Sequence, residues 1–426
     1  MRKMKDSGIE WIGEIPTEWD TTRIKYLFDY RNEKNFKPLG EVNLISLYTD
    51  LGVVQHSDLE STTGNKASNA DGYKLVYEDD IVVNIILCWM GAIGRSAYSG
   101  VTSPAYDVYA PQKGTNSKYY HYLFRTKGFS GDCYKYGRGI MAMRWRTYSD
   151  QFRAIRVLAP SSDEQERIVE FLDRQCAEVD AVIAKTKETI EEYKKLKQSI
   201  IARAVTRGIR GQRVMKDSGV DWIGEIPIEW TIGKVGRFFD IQLGKMLQPN
   251  RETDDDTIEH YLCAANVGGN CFKLFPIKEM WFKPNEKSAY EVVNGDLLVV
   301  EGGDIASCDI VKDCNSALYI QNALHRVRAK DKLDVRFLKY WLWFVKNVGY
   351  IELICNKATI AHFSKEKFVA LPYVVATNED REIADYLDEK CGSVDALIAK
   401  KSALLEEMEA YKKSVIYEYV TGKKEV

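Results

Sequence analysis

Several things are scarce in this sequence, and each scarcity narrows what the chain does. No stretch approaches the roughly 18 uninterrupted apolar residues of a membrane span. The densest run, Ile81 to Met90, is broken by Asn84 and is strand-sized. The opening residues, MRKMKDSGIEW, hold no apolar signal core, so export is not expected and a cytoplasmic location is. The nine cysteines include no CxxC pair, which argues for reduced thiols rather than a disulfide frame or a zinc site. The five histidines show neither HExxH nor another metal-ligand spacing. Phosphate loops are missing too: Gly244–Lys245 has neither the glycine-rich run nor the following hydroxyl residue, and no GxGxxG occurs. No Asn-Pro-Pro-aromatic motif of amino-methyl transfer is present. Charge of one sign is also missing, with 60 basic against 62 acidic residues and a net −2. Any contact with nucleic acid must therefore rest on local charge. The chain reads as a non-catalytic protein without metal or cofactor of its own.

What is there is size and self-similarity. The 426 residues, 45% hydrophobic and 12% aromatic, have room for about two to four domains with real cores. Residues 4–19, MKDSGIEWIGEIPTEW, return at 215–230 as MKDSGVDWIGEIPIEW, an offset of 211 with 13 of 16 positions identical. Residues 164–208 align without gaps to 379–423 at an offset of 215, matching Leu172 with Leu387, Cys176 with Cys391, Asp180 with Asp395 and Ile183 with Ile398. A period above 200 residues means duplication of a whole unit rather than a solenoid. The resulting division is 1–160, a first module with its WIGEIP segment; 161–210, a helix; 211–376, a second module; and 377–426, a second helix.

Each module reads as α+β. Short β-branched runs such as Asp80–Val83 and Asp296–Val299, broken by Gly, Asn and Asp, predict strands and turns. The aromatic runs Tyr119–Phe124 and Phe337–Phe344 predict helices. In the repeated segments, apolar positions step alternately by three and four. The first seam runs through Leu172, Cys176, Val179, Ile183, Ile190 and Tyr193, and the second through Leu387, Cys391, Val394, Ile398, Leu405 and Met408. Thr186 and Lys197 fill the first seam where it turns polar. A 3.5-residue repeat sustained this far predicts two long helices in an antiparallel coiled coil with pseudo-two-fold symmetry. Ser162 with Gln165 and Thr377 with Asp380 are expected N-cap pairs, and Gly208 and Gly422 expected stops.

Local charge allows DNA contact in one stretch, for which a solvated loop is the other reading. Residues 133–149 carry Lys135, Arg138, Arg144 and Arg146 and no acid, interleaved with Tyr134, Tyr136, Trp145 and Tyr148. Basic side chains meet phosphates and guanine edges, while aromatics pack on sugars and bases. The first module counts 18 basic and 13 acidic residues over 21–160, the second 19 and 18 over 231–378. The expected DNA-contacting set is Trp89, Arg95, Lys135, Arg138, Arg144, Trp145 and Arg146 in the first module. In the second it is Lys245, Gln248, Arg251, Lys357, Thr359 and His362. A coiled-coil scaffold displaying two protein-binding modules is the alternative.

The layout resembles one known family. WxGxIPxxW occurs as Trp11–Gly13–Ile15–Pro16–Trp19 and again as Trp222–Gly224–Ile226–Pro227–Trp230. Leu158–Ala159–Pro160 leads into Glu164–Gln165–Glu166–Arg167–Ile168, and Leu371–Pro372 into Glu379–Asp380–Arg381–Glu382–Ile383, with Asp where the first copy has Gln. Two dissimilar modules alternating with two near-identical helices resemble the specificity subunit of type I restriction-modification systems. The resemblance implies two target recognition domains, each reading half of a split, asymmetric DNA target. It also implies helices that set the gap and dock two methyltransferase subunits. S-adenosylmethionine, ATP and Mg would belong to partner subunits, with restriction subunits, where present, supplying translocation and nuclease activity.

Overall fold

The computed structural model describes residues 2–58, 69–140, 145–355, 362–376 and 378–426. The chain divides into two compact units, 1–187 with 403–426 and 188–402. The boundary falls inside the long helices rather than at their ends, because each unit's core borrows the start of one helix and the end of the other.

In the first unit the central sheet has the order Phe28–Arg31, Tyr106–Pro111, Ile81–Asn84, Ile93–Arg95, all antiparallel. Val82, Val83, Val108 and Tyr109 are fully buried, as expected of strands whose faces are both covered. The helices Ser117–Phe124 and Lys127–Tyr136 cover one face. The second unit repeats the plan with Phe239–Leu243, Leu324–Ala329, Leu297–Val300 and Cys308–Ile310, covered by the helix Val335–Asn347. It also has a second four-stranded sheet, in which Thr257–Leu262 pairs in parallel with Leu318–Ile320.

The repeated WIGEIP segments fold alike because their turn chemistry is identical. Met4–Asp6 pairs with Glu14–Pro16, and Met215–Asp217 with Glu225–Pro227. Asp6 and Asp217 each accept the N–H of the glycine two residues on, at 3.0 and 2.9 Å, an Asx turn. Each hairpin ends on a buried tryptophan, Trp19 or Trp230.

The long helices run Ser162–Arg207 and Asp380–Val420, some 60–70 Å each at 1.5 Å per residue. In the first unit Asp180 pairs with Lys412 at 2.6 Å and Phe171 lies 4.3 Å from Tyr419 between ring centroids. In the second unit Lys197 pairs with Asp395 at 2.7 Å. Asp180 and Asp395 are copies of one position, as are Lys197 and Lys412. The duplication therefore writes the same antiparallel register twice. Both helices stop at a glycine in the left-handed region, Gly208 (φ +75) and Gly422 (φ +68). A Cβ at Gly422 would also collide with Pro16, at 2.5 Å, and one at Gly208 would crowd Trp230, at 3.2 Å.

One sequence expectation needs correcting. The first N-cap is Ser161, not Ser162: its hydroxyl accepts the Glu164 N–H at 3.4 Å. Ser162 is already helical, because the cap hydroxyl reaches the N–H three residues on. Thr377 lies outside the described residues.

Candidate nucleic-acid interface

Each module is fastened to its helices by the same joint. Arg2 grips Glu164 through two nitrogens at 2.7 and 3.0 Å and also meets Glu18. Arg213 grips Glu379 at 3.0 and 2.8 Å and also pairs with Glu229. The guanidinium beside each glutamate holds Glu164 and Glu379 below the ordinary carboxylate range. Asp173 accepts the Tyr122 hydroxyl at 2.8 Å and pairs with Lys118. Its copy Asp388 accepts the Tyr340 hydroxyl at 2.6 Å and pairs with Arg336 at 2.8 Å. Gln165 accepts the N–H of Asn116 at 3.0 Å, and Asp380 that of Asp334. Asn116 and Asp334 are themselves the N-caps of the module helices. The Gln-to-Asp difference between the copies thus leaves the acceptor in place.

The seam residues lie as follows. Leu172, Ile190, Leu387 and Val394 are buried, whereas Val179, Ile183, Tyr193, Ile398, Leu405 and Met408 are half-buried. Thr186 is buried as well, its hydroxyl turned back to the Val182 carbonyl at 2.7 Å.

Among the expected DNA contacts of the first unit, four come together. Trp145 stacks on Tyr134, with centroids 4.8 Å apart and planes at 20°, and donates its indole N–H to the Tyr134 carbonyl at 3.0 Å. Trp89 meets Tyr134 edge-on, with centroids 5.7 Å apart. This stack braces a two-stranded stem in which Arg138 and Arg146 exchange both backbone hydrogen bonds, at 2.8 and 3.0 Å. Like charges directly opposite on a ladder repel, and no carboxylate among the described residues pairs with either. Arg138 lies 5.0 Å over the Tyr148 ring. Arg138, Gly139, Ile140, Arg146 and Tyr148 line an open depression. Such a stem suits an anion. Arg144 lies outside the described residues.

The remaining expected residues are placed differently. Arg95 is engaged by Asp79 at 2.5 Å, and Lys135 approaches Glu10 at 3.7 Å. Lys245 is buried, paired with Glu286, its ammonium 5.5 Å over Phe282. Gln248 is also buried, donating to Asp256 at 3.2 Å. These two hold a loop in place, since their polar ends are already satisfied by protein. Arg251 is exposed and folds back on the Thr253 carbonyl at 2.9 Å. His362 is exposed and meets Glu301 at 3.1 Å. Lys357 and Thr359 lie outside the described residues. Charge counting passed over the exposed apolar side chains Phe36, Met246 and Leu247.

The nine cysteines are all unbridged, and the described residues hold no group of His, Cys, Asp and Glu able to grip a metal ion. No described helix is long and apolar enough to cross a membrane.

No family model matches the sequence. Over 448 aligned positions, covering 96% of this chain and 93% of the relative, it is 23% identical to the type I restriction enzyme MjaVIII specificity subunit of Methanocaldococcus jannaschii. In fold it is similar to a chain from work on complex assembly and conformational transition of the type I R-M system. That match has a TM-score of 0.69 and 16% identity, over 96% of this chain and 99% of the other. It is also similar to the HsdS subunit of Thermoanaerobacter tengcongensis, at TM-score 0.51 and 17% identity over 96% and 98%. In sequence and in architecture, along nearly its whole length, this chain is similar to the specificity subunits of type I restriction-modification systems.

Proposed function

We propose that the chain is the non-catalytic DNA-specificity subunit of a type I restriction-modification complex. Each module reads one half of a split, asymmetric target, and the helices set the gap between the halves and dock two methyltransferase subunits. Those partners supply S-adenosylmethionine chemistry. Restriction subunits, where present, add ATP- and Mg-dependent translocation and cleavage. The setting is the cytoplasm.

The observation that carries this reading is the repeated joint: the same arginine–glutamate pair and tyrosine–aspartate contact hold two modules whose exposed loops differ. A fixed mount under variable surfaces is what two separate reading heads need. The uncompensated Arg138–Arg146 stem with its aromatic brace supports nucleic acid as the ligand of the first head. The test is methylation mapping in cells carrying this chain with its modification subunits. A methylated motif of two short blocks separated by unspecified bases is expected. A continuous motif, or none dependent on this chain, would refute the proposal and favour a protein-binding scaffold.

A further inference from the structure

The strands Phe28–Arg31 and Ile81–Asn84 both pair antiparallel with Tyr106–Pro111, so they run the same way and finish at the same end of the sheet. The loop after the first and the turn Cys88–Met90 after the second leave from that end. The second unit repeats this with Phe239–Leu243 and Leu297–Val300 against Leu324–Ala329. The two first-strand loops align without gaps at the offset of the WIGEIP repeat: FDYRNEKNFKP at 28–38 and FDIQLGKMLQP at 239–249. Phe36 corresponds to Leu247, Lys34 to Lys245 and Pro38 to Pro249.

Both loops are pinned from within and apolar on the outside. Asn35 is buried, and its amide donates to the carbonyls of Lys37 and Ala70 at 2.8 and 2.9 Å while accepting the Lys37 N–H at 3.1 Å. Its backbone N–H reaches Tyr73 O at 2.7 Å. The next side chain, Phe36, is 82% exposed. In the second loop, buried Gln248 and the backbone bonds of Lys245 to Ile320 and Asn322 do the pinning. Met246 and Leu247 stand 76% and 55% exposed. Phe36 is flanked by Lys34 and Lys37, both exposed and without an acidic partner among the described residues.

An apolar side chain held out by a rigid loop has its ordering entropy already spent before a ligand arrives. With unpaired ammonium groups on both sides, the ligand with matching chemistry is duplex DNA: phosphates for the lysines, a base edge, a thymine methyl or an opened base step for the ring. Deepening the proposed function, on which it rests, we propose that Phe36 is a specificity-determining contact of the first half-site, with Lys34 and Lys37 on the adjoining phosphates. Met246–Leu247 are its counterpart for the second half-site.

The experiment uses the full chain with its modification subunits. The wild-type motif is mapped by methylation, and a duplex of that motif is then used for competition binding. Phe36→Ala is expected to relax base preference in one half only and to weaken binding of the motif duplex about tenfold or more. Phe36→Tyr is expected to retain both, and Leu247→Ala to affect the other half. Because Phe36 is exposed, an unchanged melting temperature checks that the fold is intact. Lys34→Ala with Lys37→Ala is expected to lower the salt dependence of binding without changing the motif. A wild-type split motif that Phe36→Ala leaves unaltered, at unaltered affinity, overturns this inference and leaves the function standing. Loss of co-purification with the modification subunit at unchanged DNA affinity also overturns it, assigning the loop to protein contact. A wild-type chain with no split motif removes both.

Discussion

Arg138 and Arg146 face each other across two backbone hydrogen bonds with no described carboxylate between them. Arg146→Ala is expected to weaken DNA binding similarly across sequences and to reduce the salt slope by about one, measured by titration at several salt concentrations. A change of motif without a change of slope would make it a base contact instead. Arg213 and Glu379 are both largely shielded, at 12% and 4% side-chain exposure. Glu379→Gln removes one of the two carboxylates on Arg213 and leaves Glu229 in place, so it should cost about 1–2 kcal/mol of stability by denaturant unfolding. Acid should act in two stages. Burial, then the cations Arg125 and Arg95, hold the His121 imidazole at about 3, and burial also lowers His325. The unfolded chain takes up these protons first, near the ordinary histidine value of about 6.5. Stability is thus full above that value and declines as pH falls below it. Glu164 and Glu379, lowered by their arginines, contribute stability above the unfolded carboxylate range, lost as pH drops through their folded values. His121→Asn, whose amide oxygen can still accept the Arg95 N–H, should flatten the first stage of a melting-temperature profile.

At the scale of the element, the long helices show which interactions hold and which only align. The Lys197–Asp395 and Asp180–Lys412 bridges lie at the surface, with Asp395 and Asp180 about half exposed. Lys197→Ala is expected to change stability by no more than about 1 kcal/mol. Leu172 and Leu387 are fully buried, and Leu172→Ala should cost about 3 kcal/mol by denaturant unfolding. Burial of Leu172 and Leu387 in the two cores is expected to outweigh the surface charge pairs, which repeat one antiparallel register. Inserting four residues near Lys185 adds about one helical turn and should change the gap of the methylated motif. An unchanged gap would mean that the helices are not a ruler.

At the scale of the whole molecule, the two units share a mount and differ in their loops. Replacing residues 21–160 with a different module is expected to change one half of the target and to preserve the other half, as methylation mapping would reveal. A change in both halves would contradict independent reading. The joint suits such an exchange: Asp173 and Gln165 offer the same acceptors to any module that brings a capped helix with a tyrosine and a cation, and Glu164 is held by Arg2, outside the exchanged residues. The second unit already does this with different residues, using Arg336 where the first has Lys118.

Repeats, helix register and helix stops were legible in the sequence because they are local or periodic. Trp19 and Trp230, the seam positions and Gly208 and Gly422 keep their spacing whatever surrounds them. The aromatic–basic run at 133–149 was legible as composition, yet only folding stacks Trp145 on Tyr134 and sets Arg138 opposite Arg146. Lys245, Gln248 and Arg95 looked free because linear sequence does not show the partners that satisfy them: Glu286, Asp256 and Asp79 lie 41, 8 and 16 residues away. Phe36 drew no notice in the sequence, since phenylalanine is more often buried than exposed and nothing local marks the exception. By itself the sequence determined a doubled chain of two modules alternating with two long helices. The tertiary structure alone decided which charges are spent inside the protein and which side chains remain outside, because burial and pairing depend on segments distant along the chain.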